Sequence, residues 1–158
     1  MDSNSEAERP RAARQLVEQR GVGVLATISS GLAGYPHASL TNYAVDERGR
    51  PLFLFSTLAV HTSNLVQEPK ASLLVFEESG LQDPLSAARL NVMGTVKAVT
   101  GDEIDSARAA YLQRHPSSSL YINFGDFAIY RMTITDIYLI AGFGEMGWVA
   151  PADYLRAL

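Results

Sequence analysis

Short β-prone runs separated by turn-forming residues recur along most of the chain. Six of them lie at 23–28, 36–45, 52–55, 71–76, 90–98 and 127–140. Glycine, serine and charged turn residues stand between several of these runs, and few helical segments interrupt the series. The pattern therefore predicts an antiparallel barrel and argues against a doubly wound parallel sheet.

The runs differ in their hydrophobic pattern. Those at 52–55 and 71–76 are continuously apolar, which predicts strands that are covered on both faces in a barrel wall. The run at 90–98 alternates apolar and polar residues, which predicts a half-buried strand with one polar face. Helices are expected at Ser5 to Arg20, at His61 to Gln67, after Gly101 as far as Pro116, and at Pro151 to Leu158.

Composition excludes several classes of function. The 158 residues predict one domain covering 1–158, and a net charge of −4 without a basic stripe makes nucleic acid an unexpected partner. The absence of cysteine excludes thiol catalysis, cysteine-ligated zinc, iron–sulfur clusters and thiolate-ligated haem. The polar N-terminal residues and the lack of a long apolar run predict a cytoplasmic protein that does not enter a membrane.

Sequence motifs for common catalytic sites are weak or absent. His37, His61 and His115 have no spacing that would hold a metal on one helix face, so no metal site is predicted. Gly142, Gly144 and Gly147 match the G-x-G-x-x-G spacing, but no long helix or second parallel strand follows them. These glycines are better explained by a tight turn.

A buried strand followed by a short helix carries a cluster of hydroxyl and imidazole groups. Ser56, Thr57, His61 and Thr62 stand where free backbone N–H groups and the helix dipole could hold a phosphate. Helix capping by Thr57 or Thr62 explains the same residues equally well.

The strand at 35–43 places His37, Ser39, Thr41 and Tyr43 on one face, and Ala38, Leu40 and Asn42 on the other. Such a strand suits a planar aromatic ligand with hydrogen-bonding edges. A strand face exposed to solvent is the alternative.

Taken in order, these segments resemble the pyridoxamine 5'-phosphate oxidase-like FMN-binding split barrels, in the branch related to haem-utilisation proteins. The motifs are GVLAT at 23–27, PHAS at 36–39, LFS at 54–56, HTSNL at 61–65, PKASLLV at 69–75, DPL at 83–85, ARL at 88–90, NFGDF at 123–127 and GFG at 142–144. The resemblance implies a mainly β (α+β) fold, a six-stranded antiparallel split β-barrel with Greek-key topology and short flanking helices. It also implies a homodimer with FMN in the groove between subunits.

The resemblance assigns cofactor-binding roles residue by residue. It implies that Ser56, Thr57, His61 and Thr62 hold the FMN phosphate, and that His37, Ala38, Ser39 and Leu40 run along the flavin ring. Arg89 and Asn91 would contribute from the same or the partner subunit, and Trp148 would close the ring pocket. The expected function is an FMN-dependent oxidoreductase acting on a small-molecule substrate or electron carrier, with no catalytic side chain identified.

One departure from the family pattern bears on the cofactor. The oxidase proper carries arginine and lysine where this chain has His61 and Thr62, which weakens the electrostatic part of phosphate binding and argues against true pyridoxamine-phosphate oxidase activity. Two alternatives follow: a protein that binds or degrades haem in the same groove, and a dimeric binding module without a cofactor.

Overall fold

The computed structural model describes residues 3–142 and 144–157. Four residues of the predicted domain lie outside the described residues: Met1, Asp2, Phe143 and Leu158. They belong to its predicted terminal and glycine-rich segments. The strands are β1 Val22–Ile28, β2 Pro36–Asn42, β3 Ala44–Val45, β4 Pro51–Ser56, β5 Lys70–Phe76, β6 Arg89–Ala98, β7 Phe127–Gly142 and β8 Glu145–Val149. The α-helices are α1 Ser3–Gln19, α2 Val60–Gln67, α3 Ile104–Arg114 and α4 Pro151–Arg156.

The strands form one antiparallel sheet that curls into a barrel. The order is β2-β1-β5-β6-β7-β4-β3, and β8 pairs with β7. Strands β2 and β3 are consecutive parts of one segment, yet they pair with β1 and β4 at opposite ends of this order. Strands β5, β6 and β7 follow one another, and β4 returns beside β7, which is a Greek-key connection. The predicted antiparallel split barrel is confirmed.

The predicted strand count of six is wrong, because the described residues form eight strands. The run at 36–45 divides at Tyr43, whose buried hydroxyl donates to the Val17 carbonyl at 2.7 Å and whose backbone N–H donates to Gly21. Strand β8 was not predicted, because its five residues include a charged residue and a glycine. Gly142 and Gly144 have φ angles of 148° and 87° and form the turn into it.

The barrel interior is apolar, and two helices contribute side chains to it. Fully buried side chains include Leu25, Phe53, Leu73 and Met132, and α1 and α4 add Val17 and Tyr154 to the same core. Strand β4 is buried along almost its whole length because α3 packs on its outer side, as the continuous apolar run predicts.

Strand β5 does not follow the same prediction. Its buried residues alternate with half-buried Ser72, Leu74 and Phe76, so only one face is fully covered. Strand β6 alternates in the same way, as its sequence predicts. The outer faces of β5 and β6 therefore belong to an open surface of the barrel. None of the helices in the described residues is both long and apolar enough to cross a membrane.

Candidate ligand-binding site

The junction between β4 and α2 is fastened to the turn that precedes β7. The Ser56 hydroxyl donates to Asp126 Oδ2 at 2.6 Å and accepts from the Leu58 N–H at 3.1 Å. The Thr57 N–H donates to the Asp126 carbonyl at 2.8 Å. Two of the predicted phosphate-binding residues are thus in contact with an aspartate from a distant part of the chain.

Thr62 has a similar structural role. It is buried, and its hydroxyl donates to the Ser56 carbonyl at 2.7 Å. The N-cap residue of α2 is Ala59, and no side chain caps the helix. The predicted capping of the helix by Thr57 or Thr62 is therefore wrong. The hydroxyl protons of Ser56 and Thr62 both form hydrogen bonds within the protein, so neither is available to a phosphate.

A cavity of about 570 Å³ opens beside this junction. Its lining is uncharged and consists of Ser30, Thr57, Thr62, Ser63, Val66, Gln67 and Tyr130. Of the predicted cofactor-binding residues, only Thr57 and Thr62 reach it.

Asn64, which has no exposed surface, organises one wall of the cavity. Its Oδ1 accepts from the Ser30 N–H at 2.9 Å and the Ser30 hydroxyl at 3.0 Å, while its Nδ2 donates to Thr27 Oγ1 at 3.0 Å. Sequence reasoning missed Ser30, Gln67 and Tyr130. The signal in the sequence was Asn64, a polar residue next to a leucine in a short helix. If such an amide is buried, it needs hydrogen-bond partners from other elements.

His37 lies close enough to His61 to influence the charge of the His61 ring. Burial, and secondarily His37, lower the pKa of His61 below its ordinary value. The His61 ring lies 4.3 Å from the ring of Phe55, and its Nε2 is covered without a hydrogen-bond partner. His37 Nδ1 lies 3.3 Å from the Ser39 hydroxyl.

His115 is in a different environment. Its Nε2 lies 2.8 Å from the Tyr43 carbonyl, and its ring packs on Tyr111. The structure therefore brings together two of the three histidines and holds the third in a structural contact.

The remaining predicted site residues lie on the open outer face of the sheet. One cross-strand row, connected by strand register, consists of Leu40, Val24, Leu74, Asn91, Tyr138 and Trp148. The adjacent row consists of Ala38, Ala26, Ser72, Met93 and Asp136. We call the surface made by these two rows the outer face. Leu40, Asn91 and Trp148, far apart in sequence, are thus aligned across one surface.

Three features on or beside the outer face bear on ligand binding. The Trp148 ring meets the Tyr138 ring at a centroid distance of 5.0 Å and is 64% exposed. Arg89 is paired between Phe76 and Ile140, and its guanidinium donates to the Ala87 carbonyl at 3.1 Å. A mainly apolar depression of about 350 Å³ lies near Met93 and Gly94.

The predicted cofactor-binding residues therefore lie on two separate surfaces. Ser56, Thr57, His61 and Thr62 lie at the β4–α2 junction, whereas Ala38, Leu40, Asn91 and Trp148 lie on the outer face. His37 and Ser39 are half-buried on the opposite side of β2 from Ala38 and Leu40. The described residues contain no group of three or more His, Cys, Asp or Glu side chains that could hold a metal ion.

The barrel, its strand order and the β4–α2 junction define a split-barrel protein of the pyridoxamine 5'-phosphate oxidase-like fold. A putative pyridoxamine 5'-phosphate oxidase from Listeria innocua shares this fold with a TM-score of 0.64 at 18% identity, over 84% of this chain and 98% of that one. Residues 4–156 match the family described as CREG, beta-barrel, and the chain belongs to that family.

Two similar proteins are named for haem. The chloroplastic protein of Arabidopsis thaliana named non-canonical haem oxygenase HOZ is 32% identical over 120 residues, which is 76% of this chain and 36% of that protein. A haem-binding protein from Mycobacterium smegmatis is 31% identical with a TM-score of 0.83, over 99% of this chain and 62% of that one. The chain thus spans less than two thirds of the length of either relative.

Proposed function

We propose that this protein binds haem in a groove between two copies of the chain, with His37 as the axial ligand. Two observations carry the proposal: the His37–His61 pair at β2 and α2, and the apolar outer face on the opposite side of β2. The haem-related names of the two similar proteins support it.

The chemistry of His37 fits an axial ligand. Its Nδ1 is near the Ser39 hydroxyl at 3.3 Å, which can fix the ring orientation and leave Nε2 for iron. Strand β2 has β1 as its only neighbour in the sheet order, so His37 lies at an edge of the described sheet.

The outer face of one copy fits the rest of a porphyrin whose iron His37 of the other copy would hold, because His37 and the outer face lie on opposite sides of β2. Leu40, Met93, Tyr138 and Trp148 provide an apolar and aromatic surface, and Arg89 at its margin can meet a propionate. Bound haem supplies an iron centre whose reactivity depends on the polarity and access of its pocket. The residues of this chain position the haem and shield it from water.

FMN fits less well. The donors of Ser56 and Thr62 are already used, and the lining of the adjacent cavity contains no lysine or arginine. A phosphate at this junction would also meet the Asp126 carboxylate. The site therefore supports the expected FMN-dependent oxidoreductase less well than it supports a haem-binding protein.

The proposed groove requires a homodimer. Leu40, Trp148 and Met146 are 75%, 64% and 52% exposed on one side of the sheet. Exposed apolar side chains grouped on one face are typical of an interaction surface. A second copy covering this face would place its own β2 edge near the first copy.

Titration with haemin tests the proposal. We expect a saturable Soret band for the wild type, and loss or displacement of that band for His37→Ala. The variant His115→Gln is the matched control, because His115 is committed to the Tyr43 carbonyl and should leave the spectrum unchanged. A spectrum of His37→Ala identical to that of the wild type would overturn the assignment of the ligand.

A parallel titration with FMN distinguishes the two cofactors. Quenching of FMN fluorescence with no Soret response would favour the flavoprotein. Failure to respond to either compound would leave a dimeric binding module and contradict the haem proposal.

A further inference from the structure

The uncharged cavity beside α2 is not used by the proposed haem site. Its lining carries hydroxyl and amide groups from Ser30, Thr57, Ser63, Gln67 and Tyr130, and Val66 contributes apolar surface. At about 570 Å³ it has the size of a pocket for a small organic molecule. Within the described part of the chain, the Thr57, Ser63 and Gln67 side chains make no hydrogen bond, so their polar groups remain available.

The only acidic side chain in hydrogen-bond contact with this junction, among the described residues, is Asp126. It accepts the Ser56 hydroxyl at 2.6 Å, and its carbonyl accepts the Thr57 N–H at 2.8 Å. Asp126 is half-buried, so its charge is less screened than that of a fully exposed carboxylate.

The hydrogen bonds at the junction oppose an anion as well. The N–H groups of Leu58 and Ala59 are occupied by the Ser56 side chain and carbonyl, and those of Thr62 and Ser63 by the Ala59 carbonyl. Among the described residues, a phosphate placed here would find only the N–H groups of Val60 and His61 without an acceptor at the start of α2, and it would approach the Asp126 carboxylate that is bonded to Ser56. A neutral ligand would meet the same hydroxyl and amide groups without that repulsion.

We infer that this cavity binds an uncharged ligand rich in hydroxyl or amide groups, and that Asp126 is the residue that excludes phosphorylated ligands from it. The cavity lining determines what can bind, and the carboxylate determines what is rejected. This inference is independent of haem binding, which uses His37 and the outer face.

Riboflavin and FMN are suitable probes because they differ only by the phosphate. We expect the wild type to bind FMN no more tightly than riboflavin. Asp126→Asn keeps an acceptor for the Ser56 hydroxyl but removes the charge, so it should raise FMN affinity about tenfold and leave riboflavin affinity nearly unchanged. Added salt should reduce this difference. Asp105→Asn, on the exposed side of α3, is the control for a change in net charge.

Inorganic phosphate supplies a second readout that does not require a flavin to fit. At equal ionic strength, phosphate should raise the melting temperature of Asp126→Asn relative to chloride, and should do so in neither the wild type nor Asp105→Asn. Tighter binding of FMN than riboflavin by the wild type would overturn the inference. So would an Asp126→Asn protein that gains neither FMN affinity nor phosphate stabilisation. A haemin titration of the same variants separates this result from the proposed haem site, because Asp126→Asn should leave the Soret band unchanged.

Discussion

The imidazole of His61 is packed against Phe55, and its Nε2 has no partner. Burial favours the neutral form of such a ring, and the neighbouring His37 adds to the effect. His61 is thus favoured in its uncharged form next to a second histidine from a different element. A neutral imidazole is also the form that binds a metal, which is why this pair bears on the proposed haem site.

The lowered pKa of His61 predicts a stability that depends on pH. Below about pH 6.5, the ordinary value, the unfolded chain takes up a proton that the folded protein resists, so the free energy of unfolding falls as pH decreases. We expect urea unfolding to show a larger loss between pH 7.5 and pH 5.5 for the wild type than for His61→Phe, which keeps an aromatic ring against Phe55. Equal losses in the two proteins would show that another group is responsible.

At the scale of elements, the pairing of β6 with β7 depends on a close backbone approach. The register shifts between Met93 and Gly94, which leaves Thr135 as an extra residue in β7. A Cβ atom on Gly94 would lie 2.0 Å from the Thr133 carbonyl oxygen. The glycine therefore allows the two longest strands of the barrel to remain paired through the irregularity.

Gly94→Ala should destabilise the protein by about 1–3 kcal/mol, because backbone atoms must move to admit the methyl group. Gly31→Ala is the control, since a Cβ there meets nothing within 4 Å and its φ is not positive. Its effect should stay within about 0.5 kcal/mol. Chemical denaturation of the two variants measures the difference, and similar values would contradict the role assigned to Gly94.

Sequence periodicity predicted the elements that have a clear hydrophobic period and missed those set by tertiary contacts. The alternation along β6 predicted its burial pattern correctly. The break at Tyr43 depends on a hydrogen bond to α1, and β8 depends on its pairing with the second half of β7, so neither is visible locally.

The candidate site shows the same division. Local sequence identified Ser56 and Thr62 as a cluster, but the Asp126 partner of the Ser56 hydroxyl becomes evident only when β4 and β7 are paired. The alignment of Leu40 with Trp148 passes through four other strands, so it follows from the sheet order and not from spacing along the chain.

For the whole molecule, the outer face is the feature that an isolated barrel leaves unexplained. It contains large apolar side chains together with Asp136, while Lys70 and Arg89 lie on the flanking positions of the same side. In a twofold dimer, such a surface contacts the same surface of the second copy. The apolar areas then face each other, and oppositely charged side chains meet at the margin. The proposed haem groove and the proposed dimer are therefore expected to form together.

Leu40→Asp should disrupt the proposed dimer, because a carboxylate would be buried in an apolar contact without a partner. Leu120→Asp is a matched control: Leu40 and Leu120 are 75% and 77% exposed, but Leu120 lies in the turn after α3, away from the outer face. Light scattering over a dilution series should show a dimer for the wild type and for Leu120→Asp, and a dissociation constant raised about thirtyfold or more for Leu40→Asp. A monomeric wild type, or equal behaviour of the two variants, would rule out this face as the interface. The proposed haem groove is divided between the β2 edge and the outer face, so it should depend on the second copy. Loss of the Soret response on dissociation would agree with this.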